Sequence, residues 1–525
     1  MKKQFVAALL LFIHCHGAVW ADATQTDAGG RAISRNGSAS EWLLPDTVWE
    51  TPVYTIAGAQ PGPTLLVVGG VHGNEPAGHH AANQIRHWPI IRGKLVVIPR
   101  LNVPGIKRHN RYLPGVPEEE RDLNRNFPRD ESPDSTSGKV ATAIWQFAQA
   151  LKPDWVIDLH EGYEFHKSHN PPEGTKKSVG SSIIYFQDDE IDVLVERMLR
   201  TVNAAVTNED RKLVRISRGP VGGSFVRACV KQLGARGMIL ETTFRAQPIS
   251  LRTRQHRTMV STLLLQLEMI ECDCTDILSS PDADDHLLVV GLFDGSGTSS
   301  NGRKNVIRTL KSTTTMAVNF LGPADLHPEV LSQFDVLVFP GGSGSRQAAA
   351  IGKTGRDNVR AFVKGGGGYV GICAGAYLCS AHYTWSLNII DTHVFTGSQE
   401  IEGLGKKQMW FRGGPSNVRM RFTEAGNQLL GQISMVDCAT IDVRYQNGPI
   451  VSRRHFPGLC PFTTLAFFRS ENGLYPPQRG TMIDTPAIVA APFGRGRVVS
   501  IGPHPEATKG LEHIVTSLVQ WSAGD

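Results

Sequence analysis

The chain has 525 residues, 41% hydrophobic and 20% charged, a balance that buries a sizeable core and excludes a disordered or fibrous protein. At roughly 100–200 residues per domain, the length predicts two to four domains. The net charge of +5 is spread without a lysine/arginine tract, so no nucleic-acid partner is expected, and no apolar run reaches the roughly 18 residues of a membrane-spanning helix.

Lys2 and Lys3 open the chain, Phe5 to Ile13 is an unbroken apolar stretch, and small residues follow at Val19-Trp20-Ala21 and Ala21-Asp22-Ala23. That order predicts a signal peptide over residues 1–21, no stable membrane insertion, and a mature chain that is secreted or periplasmic. Residues 22–49 begin rich in Ala, Ser, Thr, Gly and Asp and predict a flexible leader. Of eight cysteines, Cys15 falls within the signal peptide. The seven that remain leave at least one thiol free or paired with another molecule.

From residue 50 to 272, short apolar runs alternate with amphipathic stretches: Leu65–Val68, Lys94–Ile98, Trp155–Leu159 and Gly237–Leu240. This predicts an α/β domain with a mostly parallel or mixed sheet flanked by helices. Residues 273–285, polar and acidic with a proline, predict a linker. Leu287–Val290 opens a second alternation, giving a second α/β domain over 286–525.

The first domain carries ligand-type residues at its strand ends, where parallel sheets place their sites. The Leu65–Val68 run leads through Gly69-Gly70 to His72 and Glu75, and Pro76 suits the first turn of a following helix. The Trp155–Leu159 run delivers His160. Two imidazoles and one carboxylate suit zinc and leave a fourth position free, the pattern of a catalytic ion. Taken singly, each of these residues reads more simply as a solvated turn or a strand-end histidine bonded to backbone. Between them lies Arg121-Asp122-Leu123-Asn124-Arg125-Asn126-Phe127-Pro128, in which Arg125 beside Asn124 suits a substrate carboxylate. Gly237–Leu240 ends at Glu241, a carboxylate suited to moving a proton from water to a leaving nitrogen.

His-Gly-Asn-Glu, Arg-Asp-Leu-Asn-Arg-Asn-Phe-Pro, Asp-Leu-His-Glu-Gly and Leu-Glu-Thr-Thr, in this order over roughly residues 60–260, resemble the zinc carboxypeptidase superfamily. They are most similar to its succinylglutamate desuccinylase/aspartoacylase branch. The resemblance implies one Zn²⁺ ion on His72, Glu75 and His160. It also implies a substrate carboxylate at Asn124 and Arg125, and Glu241 as general base and acid. An upstream arginine polarises the scissile carbonyl in that family. Arg111 fits this role, with Arg108 and Arg121 close by in sequence. Peptidase and deacylase both remain open.

In the second domain, Tyr369-Val370-Gly371-Ile372-Cys373-Ala374-Gly375 reads as a strand, a sharp turn and a helix start, the bend that exposes a nucleophile. Pro340-Gly341-Gly342 ends a strand upstream, and His504-Pro505-Glu506 offers an imidazole and a carboxylate downstream. Alone, Cys373 reads as a small buried hydrophobe. Together these segments resemble class I glutamine amidotransferase-like, flavodoxin-like domains, and more narrowly the biotin-protein ligase N-terminal type. The resemblance implies Cys373 as nucleophile, His504 as its base and Glu506 as the orienting carboxylate. Tyr377 stands where glutamine-using enzymes carry Gln, and no biotin-ligase catalytic motif follows.

The expectation is an exported zinc-dependent amide hydrolase, of metallocarboxypeptidase or deacylase type, acting on a small peptide or N-acyl amino acid. The alternatives are a cysteine amidohydrolase centred on the second domain, and a non-catalytic envelope binding protein.

Overall fold

The computed structural model describes residues 25–26, 32–33, 40–132, 135–279, 287–430 and 440–524. The expected signal peptide lies outside them. The fold is mixed α/β, with two large sheets, each flanked by helices.

The first sheet has eight strands, in the order Glu41–Leu43, Thr51–Ala57, Arg92–Ile98, Gln60–Gly69, Trp155–Gly162, Arg236–Thr243, Ser182–Tyr185 and Val214–Ile216. Its centre is parallel, with Arg92–Ile98, Gln60–Gly69, Trp155–Gly162 and Arg236–Thr243 running in one direction. Leu65 and Val67 join one buried apolar cluster, while Leu66 and Val68 join another on the opposite face. A strand apolar on both faces must be covered on both, which is why Leu65–Val68 reads as continuous rather than alternating hydrophobicity.

The second sheet has nine strands. Met316–Leu321, Leu288–Phe293, Val336–Phe339, Gly368–Ile372 and Gly496–Ile501 are parallel, and Pro486–Phe493, Thr463–Phe468, Ser416–Phe422 and Ile441–Tyr445 continue it antiparallel. Val290 and Leu292 face one cluster, Val289 and Phe293 the other.

Two expectations need correction. The leader ends earlier than residue 49, because Glu41–Leu43 pairs with Thr51–Ala57 and Lys139 stacks its ammonium over the Trp49 ring. The linker likewise does not begin at residue 273: Cys274, Thr275, Leu278 and Ser279 are buried, and the Trp88 indole N–H donates to the Ile277 carbonyl at 2.9 Å. Leu278 packs in a cluster of the second unit, so the acidic residues around it conceal an apolar anchor. The remainder, 280–286, lies outside the described residues.

The two units pack tightly through the helices Pro76–Ile85 and Ile249–Gln266. Ile249 joins the core cluster that contains Val290 and Leu292. The Ser250 hydroxyl donates to the Asp294 carbonyl at 2.6 Å, Gln84 Nε2 donates to Asn319 Oδ1 at 3.0 Å, and Arg254 and Arg257 both reach Asp325.

Candidate functional site

The strand Gln60–Gly69 ends in a turn that carries His72 and Glu75, and Pro76 starts the helix Pro76–Ile85 directly after them. A side chain at Gly73 would run into the backbone of Gly105, so only glycine lets this turn close against the neighbouring segment. The strand Trp155–Gly162 lies next to Gln60–Gly69 and brings His160 alongside. Residues two apart on a strand share a face, so Asp158 and His160 point the same way. Glu241 is the direct cross-strand partner of His160 in the parallel pair.

These placements converge. His72 Nδ1 lies 2.8 Å from Glu75 Oε1, His160 Nδ1 lies 2.9 Å from Glu75 Oε2, and the two Nδ1 atoms are 3.1 Å apart. All three residues are buried, and one donor atom from each falls within 4.8 Å of the others. The opposite ring nitrogens are also engaged: His72 Nε2 faces Asp122 Oδ1 at 3.2 Å, and His160 Nε2 faces Asp158 Oδ2 at 2.8 Å. A carboxylate behind each imidazole accepts from Nε2–H in the tautomer that turns the Nδ1 lone pair inward, the arrangement that orients histidine ligands toward a metal. The donor set of two imidazoles and a carboxylate fits a zinc-type cation.

Burial alone would raise the Glu75 carboxyl, but the His72 and His160 imidazoles hold it well below the usual range. Burial likewise opposes ionisation of Asp122, yet its hydrogen bond to His72 brings it down to about 2. Burial pushes Glu241 up to about 8, with His160 opposing the rise, and its Oε2 has no hydrogen-bond partner. A buried, unpartnered carboxyl beside a polar cluster is the form a general base takes.

His72, Glu75, His160, Glu241, Arg111, Asn124 and Arg125 all line one cavity of about 910 Å³. Arg111 Nη1 donates to Glu75 Oε1 at 2.8 Å. Arg125 Nη1 donates to the Asn124 carbonyl at 2.7 Å, and Asn124 holds its own amide between His160 Nε2 at 3.4 Å and the Phe225 N–H at 3.1 Å. Asn124 therefore lies against the His160 ring and lines the cavity.

Sequence reasoning missed Asp122, Asp158 and Glu161. Asp158 had a usable signal in its spacing of two from His160. Glu161 had none, because it points to the other face, where it accepts from the Ala77 N–H at 2.7 Å and pairs with Arg252.

Cys373, His504 and Glu506 gather in the second unit. Cys373 takes φ 51° and ψ −95° between the strand Gly368–Ile372 and the helix Ala374–Cys379, a strained bend for a residue with a side chain. His504 Nδ1 lies 2.8 Å from the fully buried Glu506 Oε1. A Cβ at Gly341 would stand 3.2 Å from His504 Cε1 and 3.7 Å from Cys373 Cβ, so the Pro340-Gly341-Gly342 turn abuts both. Burial disfavours protonation of His504, but Cys373 and Glu506 hold its proton affinity well above the ordinary value. The six described cysteines are all free.

Residues 61–176 match the family model described as succinylglutamate desuccinylase/aspartoacylase catalytic domain, and residues 288–403 match biotin-protein ligase, N terminal. Glu241, His504 and Glu506 lie beyond the matched stretches. N-alpha-acetyl-L-2,4-diaminobutyric acid deacetylase from Halomonas elongata is 35% identical over 107 residues, which is 19% of this chain and 29% of that relative. The alignment thus spans under a third of the relative's length. Among solved structures, the cell shape determinant protein Csd4 from Helicobacter pylori is 21% identical, with 42% of this chain and 55% of that chain covered at a TM-score of 0.35. The succinylglutamate desuccinylase/aspartoacylase from Rhodobacter sphaeroides is also 21% identical, covering 42% and 60% at a TM-score of 0.29. The chain therefore carries one region that matches the succinylglutamate desuccinylase/aspartoacylase catalytic domain and a second that matches the biotin-protein ligase N-terminal region.

Proposed function

We propose that the protein is an exported zinc-dependent amide hydrolase that uses one ion to cleave a C–N bond in a small peptide or N-acyl amino acid bearing a free carboxylate. One observation carries this reading. The inward Nδ1 atoms of two carboxylate-backed histidines meet the Glu75 carboxylate beside the unpartnered Glu241, in a single cavity. The family match over residues 61–176 supports the reaction class, and the basic–apolar–small order of residues 1–21 supports export.

His72, Glu75 and His160 would hold the ion, which supplies Lewis acidity, making water more acidic and polarising a carbonyl. Glu241 takes the proton from the attacking water and hands it to the leaving nitrogen, and its raised pKa lets it hold that proton near neutrality. Arg111 offers N–H donors to the carbonyl oxygen as charge develops, a contribution of about 2.7–4 kcal/mol for one such donor. Arg125, in the field of Asp122 and without an ion pair among the described residues, pairs its guanidinium with the substrate carboxylate.

The test is hydrolysis of a panel of peptides and N-acyl amino acids by the full-length protein, with and without a chelator. Activity removed by the chelator and restored by zinc supports the reading. Activity indifferent to the chelator refutes it.

A cysteine amidohydrolase centred on the second unit is the alternative, and the strained Cys373 backbone beside the His504–Glu506 pair favours it. Hydrolysis lost in Cys373→Ala and retained in His72→Ala would select this alternative.

A further inference from the structure

We propose that the second unit clamps the metal site of the first, with Arg252, Gln84 and Asp325 as positioning residues that hold the ligand-bearing segments in the geometry an ion needs. This rests on the zinc reading of His72, Glu75 and His160 and deepens it: the two units act as one metal-binding protein, and the ion and the docked second unit strengthen each other's hold.

The helix Ile249–Gln266 is the central element. Arg252 and Arg257 are both buried on it, a placement that destabilises unless a counter-charge meets each guanidinium. Five residues apart, they lie about 140° apart around the helix axis, and their partners stand on different sides. Arg252 pairs with Glu161, next to the ligand His160. One turn further along the same face, His256 Nε2 lies 3.2 Å from the hydroxyl of Thr242, in the strand that presents Glu241. Arg257 and Arg254 instead reach Asp325 of the second unit, at 3.3 and 2.8 Å, and the Gly322 N–H holds that carboxylate from behind at 2.8 Å.

Glu161 turns the Arg252 pairing into a hold on a ligand. Its N–H donates to Glu75 Oε2 at 3.0 Å, and its carboxylate accepts from the Ala77 N–H at 2.7 Å, so it grips Glu75 and the first turn of the helix Pro76–Ile85 together. The far end of that helix is tied to the second unit. Gln84 donates to Asn319 Oδ1 at 3.0 Å and accepts from Arg257 Nη1 at 2.5 Å, and His80 stands edge-on to Phe320 with ring centroids 5.1 Å apart. Asn319 and Phe320 belong to Met316–Leu321, the edge strand of the nine-stranded sheet. The segment after Glu75 and the segment at His160 are thus both fastened to the same corner of the second unit.

Ligands fixed before the ion arrives lose little conformational freedom on binding it, and contacts that fix the ligands from outside are worth about 10–100-fold in metal affinity. Linkage makes the effect reciprocal: the factor that docking adds to ion affinity is the factor that the ion adds to docking.

The test is zinc affinity of the full-length protein by chelator competition, beside its denaturation midpoint. Asp325→Asn and Asn319→Ala touch none of the three ligands, yet each should weaken zinc binding about tenfold. Arg252→Met should weaken it at least as much, and Arg252→Lys should recover part. Val443→Ala is the control, a buried truncation in Ile441–Tyr445 at the opposite edge of the same sheet. It should lower the midpoint through lost packing and leave zinc affinity unchanged. In the wild type, zinc should also slow amide hydrogen exchange across residues 316–325, and Arg252→Met should abolish that slowing. Wild-type zinc affinity in both Asp325→Asn and Asn319→Ala, or an equal loss in Val443→Ala, overturns the clamp and leaves the hydrolase reading standing. Zinc binding that weakens as stated in a protein that hydrolyses no amide supports the clamp and refutes the hydrolase reading alone. A wild type that binds no zinc overturns both.

Discussion

Glu161 accepts the Ala77 N–H at 2.7 Å, so the residue after His160 caps the helix that begins after Glu75. Glu75 sits at the cap position of that helix without bonding its N–H groups, because its carboxylate is turned to His72 and His160. Glu161 satisfies the orphaned donor in its place. The same carboxylate pairs with the buried Arg252 on the helix that reaches the second unit.

Glu161→Ala should therefore cost far more than an ordinary surface change. It leaves the Arg252 charge buried and unpaired, an effect of about 3–5 kcal/mol. Chemical denaturation should report the loss, and Arg252→Met in the same chain should recover part of it. A loss below about 1 kcal/mol would mean that Glu161 does not carry this contact.

Asp158→Asn and Asp122→Asn keep the shape of the site but weaken the acceptors behind His160 and His72. Each should lower metal affinity about 10–100-fold, read by competition with a chromogenic chelator. Unchanged affinity in both variants would separate these aspartates from the ligand set.

Glu241→Gln keeps the three donors and removes the proton carrier. Metal content should stay at the wild-type level while turnover falls by about 10²–10⁴, the range of general acid–base catalysis. Full turnover in that variant would remove Glu241 from the mechanism.

Stability should fall as the solution is acidified. Burial holds His79, His87 and His256 at about 3, and His80 well below its ordinary value. The unfolded chain binds protons at these positions below about 6.5 and the folded chain does not, so unfolding takes up protons and is favoured by acid. Glu241, raised to about 8, and the raised Glu161 and Glu41 act in the opposite sense, while the raised His160 and His504 are protonated in both states below about 6.5. The denaturation midpoint should drop between about pH 6.5 and pH 4.5, and less steeply in His256→Asn. A flat profile would contradict the neutral burial of these rings.

Much of this was legible in the sequence, for physical reasons. His72, Glu75, His160 and Glu241 stand at the ends of continuous apolar runs, and such runs become central strands whose ends converge. The turn at Cys373 was legible because glycines on both sides mark a bend. Glu161 was not, since its work is done against a helix that follows some ninety residues later, and no local pattern encodes that distance. The antiparallel strand Ser416–Phe422 was also hidden. It alternates polar and apolar residues within a mixed segment, so it lacks the dense run that marks a parallel strand. The stretch at 275–279 misled because acidic side chains surround Leu278, and composition cannot reveal that one apolar residue fixes the segment against a core.

Elemental analysis of the purified full-length protein tests the central claim most directly. The account predicts about one zinc per chain in the wild type and in Cys373→Ala, lost in both His72→Ala and His160→Ala. Zinc retained in the two histidine variants, or a wild type that hydrolyses amides at full rate after the metal is stripped, would contradict it.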